Sequence, residues 1–158
     1  MKKISWIVSI FLGIIAFSSC AKQNTGCQAV APSTEKKVMD SFCIRNNITY
    51  TEHSTGLMYQ VINPGAGVTP NQNSAVYIRY TGTLLDGTVF DSQTDPAKTG
   101  WFLSGLIDGW KIGLPLIKKG GRILLVIPSA YAYGCIGGGT KIPPNSPLYF
   151  DITLVDVQ

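Results

Sequence analysis

Alternating apolar and polar residues in the second half of the chain predict antiparallel β-strands. Val76, Ile78 and Tyr80 fall on one face of a strand, and the residues between them fall on the other. The segment 148–157 alternates in the same way and places four apolar side chains on one face: Leu148, Phe150, Ile152 and Leu154. A period of two residues is typical of a strand with one buried face.

Two more strands and a tight turn are predicted around these segments. Residues 56–62 alternate and end at the turn-forming cluster NPGAG. Residues 122–127, RILLVI, are apolar without alternation and are bounded by glycine and proline, which indicates a buried strand. The dipeptide Asp86-Gly87 lies between two apolar stretches and predicts a hairpin.

Two helices complete the predicted fold. The first spans residues 33–47 and has apolar side chains at near-helical spacing: Val38, Met39, Phe42 and Ile44. The second, residues 108–117, is short and either holds Pro115 in its first turns or is distorted by it. A sheet with one buried face needs a cover. The predicted class is therefore α+β, a twisted antiparallel sheet wrapped around the short helix, with an N-terminal helix in front.

The N-terminus has the pattern of a bacterial export signal. Lys2 and Lys3 precede an apolar run at residues 4–17, and small residues lead to Cys20. The run is shorter than the roughly 20 residues that span a bilayer, so a permanent anchor helix is the weaker interpretation. The pattern predicts a lipoprotein signal over 1–19, with cleavage at a plain signal site nearby as the alternative.

The lipoprotein interpretation also predicts location and domain order. Cys20 would carry lipid and anchor the exported protein in a membrane, the outer membrane being favoured over the inner. Residues 20–32 lack periodicity and are predicted to be a flexible tether. The helix at 33–47 would follow, and the main domain would occupy 48–158.

Three cysteines remain if Cys20 is lipidated: Cys27, Cys43 and Cys135. Export places them in an oxidising compartment, where three thiols form at most one bridge out of three possible pairings. Cys27 with Cys135 is the preferred pairing because both lie in irregular segments. Three unpaired cysteines are the alternative.

Charge and motif content exclude several function classes. The whole chain has a net charge of +4, and without Lys2 and Lys3 it has 11 basic and 9 acidic side chains, too little excess for a nucleic-acid partner. His53 is the one histidine and has no ligand cluster near it in sequence, so no metal is predicted. No nucleophile elbow or phosphate-binding loop is present, and no cofactor is expected.

Four ordered blocks identify the family that the chain resembles. They are VYIRYTGTLLDGTVFDS at 76–92, LIDGWKIGLPLIKKGGR at 106–122, IPSAYAYG at 127–134 and IPPNSPLYFDITLVDV at 142–157. In this order they resemble the FKBP-type peptidyl-prolyl cis/trans isomerases. The resemblance implies a half-barrel sheet around a short helix, with a hydrophobic pocket between them that accepts proline.

The resemblance also implies a site. The catalytic positions would be Asp91, Tyr133 and Ile107, with the Tyr133 hydroxyl at the rim, the Ile107 N–H facing a substrate carbonyl, and Asp91 orienting Tyr133 or meeting the substrate amide. The residues that would bind substrate are Tyr80, Phe90, Trp101, Leu106, Trp110, Ile142 and Phe150. Trp110 would form the floor, and the glycines at 137–139 would let a loop arch over the proline site.

The implied function is rotation of X-Pro peptide bonds in extracytoplasmic polypeptides. Two departures from the family pattern concern charge: Lys98 is the only base near the position of a usual arginine, and Lys141 stands where isoleucine is common. They leave open the alternative of a proline-peptide-binding or chaperone module with little turnover.

Overall fold

The structure is a computed structural model that describes residues 26–158. Within this range the chain forms two α-helices and seven β-strands joined by loops and short 3-10 turns. In chain order these are α1 (Pro32–Arg45), β1 (Thr51–Glu52), β2 (Met58–Asn63), β3 (Ala75–Leu84), β4 (Val89–Gln93), β5 (Trp101–Phe102), α2 (Asp108–Gly113), β6 (Arg122–Ile127) and β7 (Leu148–Val157).

The seven strands form one open antiparallel sheet. Its order is β1-β2-β6-β7-β3-β4, and the short β5 pairs with β3. The predicted inward residues of β3 and β7 are all buried, which confirms the alternation read from the sequence. The predicted hairpin joins β3 to β4, where the Asp86 carboxylate accepts a hydrogen bond from the Thr88 N–H at 2.8 Å.

The short helix α2 packs against β6 through two glycines on one helix face. A Cβ atom at Gly113 would lie 2.6 Å from Leu125, and one at Gly109 would overlap Ile127, so only glycine allows this approach. The helix was expected to run to residue 117. Its α-helical part ends at Gly113, and a 3-10 turn containing Pro115 follows, because proline cannot donate the helical hydrogen bond.

The helix α1 covers the opposite face of the sheet. Met39, Phe42 and Cys43 pack with Met58 of β2 and Val126 of β6 into a second apolar cluster. Because α2 lies on one face of β6 and α1 on the other, this strand is buried on both faces, and its sequence therefore lacks alternation.

The apolar face predicted for α1 is partly wrong. Val38 is 46% exposed and Ile44 is 75% exposed. The buried stripe instead begins with Glu35, whose carboxyl group accepts hydrogen bonds from the Ser129 backbone N–H at 2.8 Å and hydroxyl at 2.5 Å. The helix also ends at Arg45, two residues before the predicted boundary.

The described part of the predicted tether is attached to the domain. Cys27 forms a disulfide with Cys135, the preferred pairing, with the two Cα atoms 5.3 Å apart. The Asn145 side chain donates a hydrogen bond to the backbone oxygen of Gln28 at 3.1 Å. Cys43 remains a buried thiol. The predicted signal and Cys20 lie outside the described residues, and from residue 26 onward no helix has the length and apolarity needed to cross a bilayer.

Candidate active site

An aromatic cavity of about 620 Å³ opens between the sheet and the start of α2. Trp110, the third residue of α2, lies at its floor and is 5% exposed. Its ring contacts Tyr80 and Phe150 edge to face, with both centroid separations at 5.1 Å. Such T-shaped contacts match the charge distribution of aromatic rings and hold the three rings in fixed orientations.

A glycine in β3 allows the two phenylalanine walls to meet. Gly82 lies opposite Asp91 of β4 and Phe150 of β7 in the sheet. A Cβ atom there would lie 2.6 Å from the Phe90 ring and 2.7 Å from the Phe150 ring. These rings instead pack edge to face over the glycine, 5.5 Å apart. The close approach at Gly82 therefore shapes the cavity wall.

Tyr80 and Asp91 form the shortest polar contact in the cavity. The Tyr80 hydroxyl donates to Asp91 Oδ2 at 2.6 Å, and Asp91 Oδ1 accepts from the Ser92 backbone N–H at 2.9 Å. Burial, followed by this hydrogen bond, raises the pKa of Tyr80 well above its usual range. Within the described residues the Asp91 carboxylate is hydrogen-bonded to Tyr80 and not to Tyr133. That Asp91 orients Tyr133 or meets the substrate amide stays a prediction.

Two donors remain available at the cavity. Tyr133 is 41% exposed at the rim, and burial together with the nearby Asp91 charge raises the pKa of its hydroxyl, which keeps it protonated. The Ile107 N–H forms no hydrogen bond with any residue from 26 to 158, because Ile107 is the residue that precedes α2. Amide groups at a helix start have no intrahelical partner, so this N–H is free to bind a carbonyl oxygen.

The indole Nε1 of Trp110 is buried and has no acceptor among the described residues. A buried donor without a partner costs about 1–3 kcal/mol, and native proteins contain few of them. Its position at the cavity floor is consistent with a ring placed for binding rather than for stability alone.

The cavity brings together nine of the ten site residues expected from the sequence, in the set Tyr80, Phe90, Asp91, Trp101, Leu106, Ile107, Trp110, Tyr133 and Phe150. Ile142 is 5% exposed and lines a neighbouring cavity instead. Phe102 also lines the aromatic cavity and was missed. It is 64% exposed and is placed there by pairing with Ala75 at the edge of β3, a contact that carries no local sequence signal.

No group of three or more His, Cys, Asp or Glu side chains that could ligate a metal occurs between residues 26 and 158.

Comparison with known proteins settles the family. The family model of FKBP-type peptidyl-prolyl cis-trans isomerases matches residues 67–155. The chain belongs to this family. The FKBP-type isomerase FkpA of Escherichia coli (strain K12) is 50% identical over 106 residues, which is 66% of this chain and 39% of that protein. The 22 kDa FKBP-type isomerase of the same organism is 38% identical over 122 residues, covering 77% of this chain and 58% of that protein.

Solved FKBP-type structures agree with the fold. The crystal structure of Escherichia coli FkpA has a TM-score of 0.68 and 40% identity, and covers 81% of this chain and 59% of that one. A peptidyl-prolyl cis-trans isomerase from Pseudomonas syringae pv. tomato also has a TM-score of 0.68, with 33% identity and coverage of 83% and 98%. The predicted FKBP-like sheet around a short helix is confirmed. This chain spans less than two thirds of the length of the curated relatives named here.

Proposed function

We propose that the protein is a peptidyl-prolyl cis/trans isomerase that rotates X-Pro bonds in polypeptides. The observation that carries the proposal is the solvent-open aromatic cavity with Trp110 at its floor. A proline ring is apolar and compact, and such a cavity can enclose it while the flanking chain stays outside.

An apolar enclosure favours the rotated bond over the planar one. The barrier of roughly 18–20 kcal/mol for rotation comes from amide resonance, which separates charge between oxygen and nitrogen. The twisted amide has lost that resonance and is less polar. Moving the bond from water into the aromatic cavity therefore disfavours the planar state more than the twisted state, which is the differential effect that catalysis requires.

Two hydrogen-bond donors at the cavity would orient the substrate. The free Ile107 N–H would hold one substrate carbonyl, and the Tyr133 hydroxyl would meet the carbonyl that moves during rotation. Uncatalysed X-Pro bonds isomerise in tens to hundreds of seconds, so a millisecond turnover requires a barrier lower by about 5–7 kcal/mol. No proton transfer is needed. The role of Asp91 is to hold the Tyr80 ring at the cavity wall.

An isomerisation assay on the purified protein tests this function. Trp110→Leu removes the floor and Tyr133→Phe removes the rim donor, so each should lower kcat/KM at least tenfold. Phe42→Leu and Tyr149→Phe are matched controls, because both residues belong to the α1 side of the sheet. The controls should retain most of the activity.

A protein that binds proline peptides without accelerating their isomerisation would contradict catalysis and support the binding-module alternative. Peptide binding can be followed separately by intrinsic tryptophan fluorescence, because Trp101 and Trp110 both line the cavity. If Trp110→Leu and Phe42→Leu lower kcat/KM equally, the losses would reflect reduced stability of the fold rather than damage to the site.

We also propose that the protein is an exported lipoprotein, anchored through lipid on Cys20 in the outer membrane, where it acts on extracytoplasmic polypeptides. The basic start, the apolar run at 4–17 and the small residues before Cys20 support this. The Cys27–Cys135 disulfide is consistent with an oxidising compartment. Metabolic labelling with a radioactive fatty acid should label the protein and not its Cys20→Ala variant. Failure to label the unaltered protein would refute the anchor.

A further inference from the structure

A second cavity of about 400 Å³ adjoins the aromatic one. The two cavities share the lining residues Phe90, Asp91 and Tyr133, so they lie side by side. The far wall of the second cavity comes from the glycine-rich loop and consists of Gly138, Gly139, Lys141 and Ile142. A polypeptide with its proline above Trp110 can therefore place a neighbouring side chain in this second cavity.

Backbone hydrogen bonds and the disulfide hold the loop that forms the second cavity. Gly138 and Ile142 exchange two backbone hydrogen bonds of 2.9 and 3.3 Å. The Asn145 N–H donates to the oxygen of Gly134 at 2.8 Å, and Cys135 is held by its disulfide. A preformed wall loses little conformational freedom on binding, which favours selective recognition.

Lys141 places a positive charge in this cavity. Its ammonium Nζ donates to the backbone oxygen of Phe90 at 3.1 Å, which spans the gap between the loop and β4. An ammonium group has three donors, and along the described chain no second acceptor and no carboxylate within ion-pair distance is found for this one.

The one carboxylate that lines the same cavity, Asp91, is already engaged by donors. Its Oδ2 accepts from the Tyr80 hydroxyl, and its Oδ1 accepts from the Ser92 N–H. The Lys141 ammonium therefore retains donors for a ligand, whereas each Asp91 oxygen already accepts one hydrogen bond, which offsets part of its negative charge. A second cationic side chain in the cavity would meet the like charge of Lys141.

We propose that this second cavity is a specificity subsite for an acidic side chain, Asp or Glu, within two residues of the substrate proline. The ligand carboxylate would pair with Lys141. The inference rests on the proposed isomerase function and adds a substrate preference to it. Lysine and arginine at the same substrate position are selected against by like-charge repulsion.

The test compares neutral peptides of the form Ala-Ala-Leu-Pro-Phe-Ala with versions that carry Glu or Lys in turn at each of the two positions before proline and the two positions after it. Isomerisation by the full-length protein is followed by NMR exchange. At one position, Glu should raise kcat/KM several-fold over Lys at low salt. An exposed ion pair changes kcat/KM by at most about fivefold, which corresponds to about 1 kcal/mol. The comparison of Glu with Lys replaces an attraction by a repulsion, so the difference in free energy is roughly twice that of a single pair. The preference should shrink in 0.5 M salt through screening.

Lys141→Glu should reverse the preference, so that kcat/KM becomes higher for the Lys peptide than for the Glu peptide. Lys141→Gln should make the two values of kcat/KM nearly equal. Lys118→Glu is the matched control, since Lys118 is exposed and lines neither cavity. It changes the net charge by the same amount and should leave the ratio as in the unaltered protein. An equal shift in Lys118→Glu would assign the effect to overall charge and overturn the subsite.

The subsite and the catalytic proposal fail in different ways. An active protein whose Glu-to-Lys ratio is unaffected by Lys141→Glu refutes the subsite alone. If no peptide is isomerised, the proposed catalysis fails, and binding of the same peptides by calorimetry tests the charge preference directly. Equal affinities for Glu and Lys peptides would then refute the subsite as well.

Discussion

The Tyr80 ring is buried against Trp110 and its hydroxyl is hydrogen-bonded to Asp91, and burial and this hydrogen bond both raise the pKa of the phenol. In the unfolded chain, Tyr80 ionises at its ordinary pKa of about 10. Above that pH the unfolded state loses a proton that the folded state keeps. This contribution to stability is therefore complete below about pH 10 and is lost as the pH rises further.

Tyr80→Phe should make the free energy of unfolding less sensitive to alkaline pH. In the unaltered protein, Tyr80 contributes a decline of up to about 1.4 kcal/mol per pH unit above pH 10. Urea unfolding between pH 7 and pH 11 measures both proteins. If the free energy of unfolding falls equally with pH in both proteins, the Tyr80 hydroxyl has the same pKa in the folded and unfolded states.

Individual site residues were predictable where a motif fixes both residue type and place in the sheet. Tyr80 and Phe150 belong to alternating strands, so the face on which each lies follows from the pleat. Phe90 was expected only from the family resemblance, because β4 shows no regular alternation. The partner of Asp91 was not predictable, because the choice between the Tyr80 and Tyr133 hydroxyls depends on how β4 is placed on β3. Phe102 was missed because its position depends on a two-residue strand.

The contact between α1 and the loop after β6 links two elements that are distant in sequence. Ser129 is completely buried and follows β6, and its backbone oxygen accepts hydrogen bonds from the N–H groups of Ala132 and Gly134. Glu35 thus holds the base of the segment that carries Tyr133. Hydrogen bonds to a carboxylate are stronger than those between neutral groups.

Glu35→Gln should lower the free energy of unfolding by about 1 kcal/mol, because it replaces two hydrogen bonds to a buried carboxylate with weaker bonds between neutral groups. A double-mutant cycle with Ser129→Ala, followed by urea unfolding, should give a coupling energy of at least about 1 kcal/mol. Glu52→Gln is the control, since Glu52 is exposed and its ion pair with Lys36 lies at the surface. Additive effects of the two buried substitutions would contradict a direct interaction.

Among the elements, the five longer strands were predictable, whereas the two-residue strands β1 and β5 and the orientation of α1 were not. Strand faces follow from local alternation, and the buried strand β6 follows from its continuous apolar run. On α1 the buried stripe contains a glutamate, and pattern analysis assigns a charged residue to solvent. The partner that makes this burial possible, Ser129, is 94 residues away, so no local signal marks it.

The disulfide joins the chain before α1 to the glycine-rich loop across a sequence separation of 108 residues. Cross-linking such a long segment restricts the unfolded chain strongly, with typical stabilisation of about 2–4 kcal/mol. Replacing both Cys27 and Cys135 by serine should lower the free energy of unfolding by about this amount in urea. Adding a reductant should do the same to the unaltered protein and should not affect the variant.

Cys43, the cysteine outside the disulfide, provides an internal control for the Cys27–Cys135 pairing. Burial raises the pKa of Cys43 to about 11, so it should resist alkylation at neutral pH until the protein unfolds. A non-reduced digest should contain one peptide that joins residues 27 and 135. A digest with Cys43 in the cross-link would contradict the pairing.

The order of strands has a consequence for how short the protein can be made. The family match begins at residue 67, but β2 ends at Asn63 and pairs with β6 from Arg122 to Val126. A chain that starts at residue 67 would lack β2 and would leave β6 as an exposed edge strand. It would also lack α1, so Val126 of β6 would be exposed to solvent. Exposed apolar edges recruit strands from other copies. The segment that the family model matches should therefore precipitate when produced alone, whereas a chain that starts ahead of Cys27 should stay in solution.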